Sequence, residues 1–148
     1  MQALIRRAET IDLERLKGFL SRANLGTDGI TIDTIDSFLV LEDENNEIKG
    51  SLGMEVFPGL GLLRSLVVSP GQAEQEIIVL FDQMVQFAKE KGIHSLFLAT
   101  KKSTTVKFFE LIGFQQIRQE DLPAAFYDSA HIQHILNVDN SLFLKLSV

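Results

Sequence analysis

The sequence predicts a mixed α/β domain on a largely antiparallel sheet with one parallel crossover. Three observations predict it. Ile48, Gly50, Leu52, Met54 and Val56 alternate at period two, the pattern of a half-buried strand within a meander. An apolar run from Leu62 to Val68 feeds a helical pattern from Gln72 to Lys91. That pattern leads to a second apolar run, Leu96 to Ala99, giving the order of a strand–helix–strand crossover. With 148 residues, 45% of them hydrophobic, the chain is long and apolar enough for one self-sufficient domain over residues 1–148.

Each element follows from its residues. Ala3 to Ala8 reads as a first strand. Thr10 is placed to cap a helix whose first turn carries Asp12 and Glu14, and Leu13, Leu16, Leu20 and Ala23 recur along it at helical spacing before Asn24-Leu25-Gly26 ends it. Residues 25–36 are rich in turn formers and carry no clear period. Phe38 to Leu41 is a short apolar strand, and Asp43-Glu44-Asn45-Asn46-Glu47 is turn chemistry. Along the alternating strand, Lys49, Ser51, Glu55 and Phe57 share the outward parity of a solvated face. Phe57-Pro58-Gly59 turns the chain into the Leu62–Val68 strand, which Ser69-Pro70-Gly71 breaks. Ile77, Leu80, Phe81, Met84 and Ala88 line one face of the long helix, and Gly92 caps it. Thr104 to Ile112 is a short helix closed by Gly113, Phe114 to Ile117 a strand, and Leu142, Leu144 and Leu146 alternate in a last one.

Composition narrows the function. Fourteen Lys and Arg against 20 Asp and Glu give a net charge of −6, which disfavours nucleic acid and anionic membrane as partners. Arg6-Arg7 and Lys101-Lys102 are too short for a nucleic-acid stripe. No apolar run approaches the roughly 20 residues of a membrane span, and the charges in MQALIRRAETIDLERLK do not suit a secretory signal, so a cytoplasmic location is expected. Without cysteine there are no disulfides, thiolate nucleophiles or thiolate metal sites. His131 and His134, at i and i+3, lack a nearby third ligand, so no metal is expected. Ser65 and Ser69 have no His and Asp partners in sequence to make either a nucleophile.

Gly61-Leu62-Leu63-Arg64-Ser65-Leu66-Val67-Val68-Ser69-Pro70, with Thr105-Val106-Lys107-Phe108-Phe109-Glu110-Leu111-Ile112-Gly113-Phe114, resembles the central strand and C-terminal helix of the GNAT superfamily of acyl-CoA-dependent N-acyltransferases. Leu122-Pro123-Ala124-Ala125 and the Phe108-Phe109 pair are similar to the branch that acetylates amino acids and confers arsenic resistance. The resemblance implies helices on both faces of the sheet and a V-shaped splay between the strands Leu62–Val68 and Leu96–Ala99. It implies acetyl-CoA as co-substrate, its pantetheine bonded to backbone at Leu66, Val67 and Val68 and packed by Phe108. Its pyrophosphate would lie on the helix N-terminus, at Ala73, Glu74, Gln75, Glu76 and Ile77, where free N–H groups and the helix dipole favour an anion.

One departure is pronounced. The superfamily's loop runs Arg or Gln, two residues, Gly, one residue, Gly or Ala. Here the corresponding positions hold Ala73, Glu76 and Ile78. Glycine allows close backbone approach to a pyrophosphate, whereas Glu74 and Glu76 bring negative charge. At about 6 Å in high dielectric each carboxylate–phosphate pair costs on the order of 0.7 kcal/mol. Two acids and a lost cation thus lower affinity by roughly one to two orders of magnitude.

By the same resemblance the reaction is acetyl transfer from acetyl-CoA to a primary amine of a small, amino-acid-like acceptor, through a tetrahedral intermediate whose oxyanion meets a strand N–H near Val67. Phe109 stands where many members carry a Tyr acid. Glu55 is the candidate base and Tyr127, the chain's one tyrosine, the candidate acid; each is otherwise a surface or packing residue. Arg64, a charge inside an apolar strand, suits either a substrate carboxylate or a structural ion pair. Two alternatives stand beside the enzyme: a degenerate GNAT-like binding or regulatory module that holds CoA poorly, and an associating subunit, a homodimer paired through its last strands.

Overall fold

A computed structural model describes residues 4–71, 74–100, 103–130, 132–133 and 141–148. Among the described residues the main elements are, in order, β1 (Leu4–Arg7), α1 (Leu13–Arg22), β2 (Phe38–Glu42), β3 (Ile48–Phe57), β4 (Leu60–Val68), α2 (Glu74–Glu90), β5 (Ser95–Thr100), α3 (Ser103–Leu111), β6 (Gln115–Ile117) and β7 (Leu142–Ser147). Their types and order are those the sequence predicts. The strands form one sheet ordered β1-β2-β3-β4-β5-β7-β6, antiparallel at β1–β2, β2–β3, β5–β7 and β6–β7 and parallel at β4–β5.

The chain divides into two compact units, Met1–Glu55 with Arg64–Phe87, and Val56–Leu63 with Ala88–Val148. In the first unit α1 lays Leu16, Phe19 and Leu20 against Ile35, Phe38 and Val40. The turn-rich 25–36 segment takes part in this core, because Ile30 and Ile35, each 2% exposed, point inward from it. Thr10 does not cap the helix. Instead a 3-10 turn, Thr10–Asp12, precedes α1, and the Glu9 N–H donates to Asp12 Oδ2 at 2.7 Å. Asp12, the third residue of that turn, thus reaches back to the N–H that precedes it, as in a capping box.

β3 also departs from the expected alternation. From Gly50 to Met54 it is buried on both faces, Val56 is 47% exposed, and Ser51 is fully buried. Gly53 explains one side of this: a Cβ there would lie 2.1 Å from Phe38 Cε2, so the phenyl ring of β2 rests on the bare backbone. A small residue at an outward parity therefore receives a large neighbour instead of solvent.

The second unit packs Leu62, Phe97, Leu122, Phe126 and Phe143 together, with Phe97 and Phe57 each meeting the Phe126 ring, at 5.0 and 4.9 Å between centroids. Phe57, read as outward, is thus a packing residue. α2 ends at Gly92, whose φ of 76° allows Ile93 N–H to reach Ala88 O at 2.9 Å, a left-handed helix cap. On α3, Phe109 is buried between Phe108 and Phe114.

Candidate functional site

The site is built along β4. Its parallel ladder with β5 registers Leu60 with Ser95, Gly61 with Leu96 and Leu62 with Phe97, and the strand then runs on to Val68. Arg64 is 8% exposed. Its Nη1 donates to the Asp28 carbonyl at 2.8 Å and stands 3.7 Å from Glu55 Oε1, while its Nε donates to Ser65 Oγ at 3.3 Å. Burial lowers the guanidinium's pKa from its ordinary value, and the Glu55 and Asp28 charges oppose that shift. The first unit thus brings Glu55 and Arg64 together, and ties Arg64 to the 25–36 segment through Asp28.

Ser65 adopts φ 59° in the middle of β4. A left-handed serine inside a strand costs on the order of 1–3 kcal/mol unless its surroundings fix it. Here the buried Ser51 hydroxyl donates to the Ser65 carbonyl at 2.7 Å. Past this kink Leu66, Val67 and Val68 are half-buried, and Ser69 N–H closes onto Lys49 O at 2.8 Å. Gly71 follows with φ 92°, and a Cβ there would meet nothing within 4 Å. The turn into α2 therefore keeps one glycine with open space around it, although the glycines of the superfamily pattern are absent. Of the residues expected from the sequence to hold a pyrophosphate, Glu74 opens α2, Gln75 is exposed, Glu76 and Ile77 are half-buried, and Ala73 lies outside the described residues.

Phe108 and Tyr127 belong to the second unit. Phe108 is half-buried on α3, and Tyr127, 38% exposed on the turn Ala124–Asp128, donates its hydroxyl to Gln119 O at 3.4 Å. His131 and His134 lie outside the described residues.

Two features escape the sequence reading. The first is a cavity of about 670 Å³ in the first unit, walled by α1, the start of β3 and the end of β4, where Val67 and Val68 line it. The second is a charged network beside it. Arg6 binds Asp12 through both terminal nitrogens, at 2.8 and 2.9 Å, and Glu42 through Nε at 2.6 Å. Arg15 joins the same two carboxylates at 3.2 Å each and reaches the Asn46 carbonyl. Hydrogen bonds from Arg6 hold Asp12 and Glu42 below the usual carboxylate range, and the two acids raise Arg6 in turn. The signal available in sequence was Glu42, an acid closing the otherwise apolar run Phe38–Leu41.

No family model matches the chain. It is 29% identical over 142 residues to the uncharacterized protein YwlB of Bacillus subtilis (strain 168), covering 95% of each chain. Among solved structures, N-acetylglutamate synthase from Neisseria gonorrhoeae, complexed with coenzyme A and N-acetyl-glutamate, superposes with TM-score 0.80 at 21% identity; 99% of this chain is covered, and it spans 35% of that one. Rv2747 from Mycobacterium tuberculosis, in complex with CoA and NLQ, gives TM-score 0.77 at 18% identity, covering 98% of this chain and 99% of that one. A GNAT-family acetyltransferase from Staphylococcus aureus Mu50 gives 0.75 at 21%, covering 98% of each. These likenesses are of fold.

Proposed function

We propose that this chain, whose fold is that of the GNAT acetyltransferases, transfers an acetyl group from acetyl-CoA to a primary amine of a small, amino-acid-like acceptor. The observation that carries the reading is the grouping of Glu55, Arg64 and Ser65 at the kink in β4, one residue before the backbone of Leu66–Val68. Matched structures crystallised with coenzyme A include N-acetylglutamate synthase from Neisseria gonorrhoeae, once with N-acetyl-glutamate and once with L-arginine.

Each residue then has a task. The backbone from Leu66 to Val68 accepts the pantetheine as an added strand. The turn at Gly71, open around its Cα, gives the pyrophosphate room beside the start of α2. Arg64 orients the acceptor's carboxylate. Its 3.7 Å separation from Glu55 is too long for a direct hydrogen bond, so the guanidinium keeps donor capacity for a ligand. Glu55 takes the ammonium proton, directly or through water, leaving the amine to attack the thioester carbonyl. An N–H near Val67 holds the oxyanion, and the departing thiolate takes a proton from solvent.

Calorimetric titration of acetyl-CoA at low and moderate salt tests the reading. Micromolar binding is expected, and Ala73→Arg with Glu76→Gly tightens it by roughly one to two orders of magnitude. No binding up to millimolar acetyl-CoA overturns the enzyme in favour of a fold kept without its chemistry.

A further inference from the structure

We propose that the turn Thr27–Ile30 sets the acceptor specificity of the site, with Gly29 as its positioning residue. The turn aims the Asp28 carbonyl at Arg64 Nη1, which keeps the guanidinium off Glu55 and its other end available to a carboxylate. This rests on the reading of Arg64 as the partner of the acceptor's carboxylate.

The turn is built from its own residues. Ile30 N–H donates to Thr27 O at 3.1 Å, and Gly29, third of the four, has φ 83° while Asp28 does not share the positive φ. These are the marks of a type II turn, which favours glycine at that place. Relative to a type I turn, ψ of the second residue moves from about −30° to about +120°, so the central carbonyl, that of Asp28, faces the opposite side of the chain. On that side it meets Arg64 Nη1 at 2.8 Å. Thr34 Oγ1 braces the arrangement, donating to the Gly29 carbonyl at 2.6 Å and accepting from the Thr31 N–H at 2.9 Å, while the buried Ile30 anchors it in the core. A side chain at Gly29 is disfavoured twice, by the positive φ and by a Cβ that would lie 3.3 Å from Arg64 Nη1.

Arg64 Nη1 faces two acceptors, the Asp28 carbonyl at 2.8 Å and Glu55 Oε1 at 3.7 Å. A charged carboxylate is the stronger acceptor of the two, so the neutral carbonyl prevails because the turn holds it in place. With the carbonyl turned away, Nη1 closes onto Glu55, and the cation meant for the acceptor is spent on the proposed base. Nε already donates to Ser65 Oγ. Among the described residues Nη2 makes no hydrogen bond, although the residue is only 8% exposed. Nη2 is therefore the end of a nearly buried guanidinium that a carboxylate satisfies.

The test titrates the full chain with L-norvaline and with butylamine, the same amine without the carboxylate. Binding is followed by NMR on the Arg64 side-chain N–H signal, identified by its absence in Arg64→Gln. Norvaline is expected to bind about tenfold tighter than butylamine. Gly29→Ala abolishes that preference, Thr34→Val reduces it several-fold, and Gly26→Ala, in the same segment with nothing within 4 Å of its Cβ, leaves it unchanged. If Gly29→Ala does not melt as a folded protein, Thr34→Val, which adds no bulk, decides the matter. Equal binding of the two probes to the wild type, or none at tens of millimolar, removes Arg64 as the carboxylate's partner and the proposal with it. An unchanged norvaline preference in a folded Gly29→Ala overturns the role of the turn alone. Selective norvaline binding by a wild type that takes up no acetyl-CoA removes the transfer reaction and leaves a carboxylate site governed by the turn.

Discussion

Replacing Arg6 with methionine keeps most of its aliphatic volume and removes the cation that two buried acids share. Asp12 is fully buried and Glu42 is 6% exposed. Asp12 loses both of its short bonds from Arg6 and Glu42 loses the 2.6 Å one. Breaking a buried ion pair from one side costs about 3–5 kcal/mol. Arg15 still reaches both carboxylates at 3.2 Å, which places the loss near the bottom of that range, about 3 kcal/mol. For a chain of this length that corresponds to a fall in Tm of roughly 6–12 °C. The pH dependence identifies the cause. Both acids have folded-state pKa values depressed by Arg6, so in the wild type their contribution is fully present above the unfolded value, near 4, and is lost as pH falls through the folded values. In Arg6→Met only Arg15 still faces the two buried acids and protonation relieves the remaining penalty, so the deficit against wild type shrinks from neutral pH towards about pH 4. Urea unfolding of both proteins at the two pH values measures this. A deficit that is the same at both, or a variant melting within about 2 °C of wild type at neutral pH, refutes the reasoning.

Other perturbations probe the strands at the site. Gly53→Ala puts a methyl 2.1 Å from a fully buried Phe38 ring and should destabilise by about 1–3 kcal/mol in denaturant unfolding. Ser65→Gly removes a left-handed penalty and is expected to be neutral or mildly stabilising, whereas Ser65→Val, β-branched at φ 59°, lowers Tm by several degrees; equal melting of the two variants would deny that the kink is strained. Ser51→Ala leaves the Ser65 carbonyl without its 2.7 Å donor and costs about 1 kcal/mol. Arg64→Gln, by the proposed function, raises KM for an acceptor bearing a carboxylate more than for the same amine without one, which steady-state kinetics on the two acceptors would read.

The sequence made some elements plain because their signals are local. The period of Ile77–Ala88, the glycine after the helix at Gly92 and the apolar runs of β4 and β5 each depend on residues within a few positions of one another. What stayed hidden depends on distance along the chain. Arg6 reads as half of a short basic pair until Glu42, 36 positions away, closes over it. Gly53 and Ser51 look like the solvent face of an alternating strand until Phe38 and the Ser65 carbonyl are seen to occupy that face. Nothing in a serine announces a left-handed φ, so the kink in β4 had no local signal. At the candidate site, Arg64 was marked as a charge needing a partner; that Glu55 and the Asp28 carbonyl supply it follows from tertiary placement of the 25–36 segment.

The strand order of the second unit also governs how it can assemble in time. β7 lies between β5 and β6, its Leu142–Ser147 registered against Thr100–Ser95 on one side and its Phe143–Lys145 against Ile117–Gln115 on the other. Two strands made earlier in the sequence must therefore wait, apart, for a third to enter between them. Closing that long loop carries an entropic barrier that local hairpins such as β3–β4 do not face. β7 insertion is then a late folding event. Core substitutions there, Phe143→Leu among them, should speed unfolding and leave the folding rate nearly untouched, while equivalent changes in β3 and β4 slow folding itself.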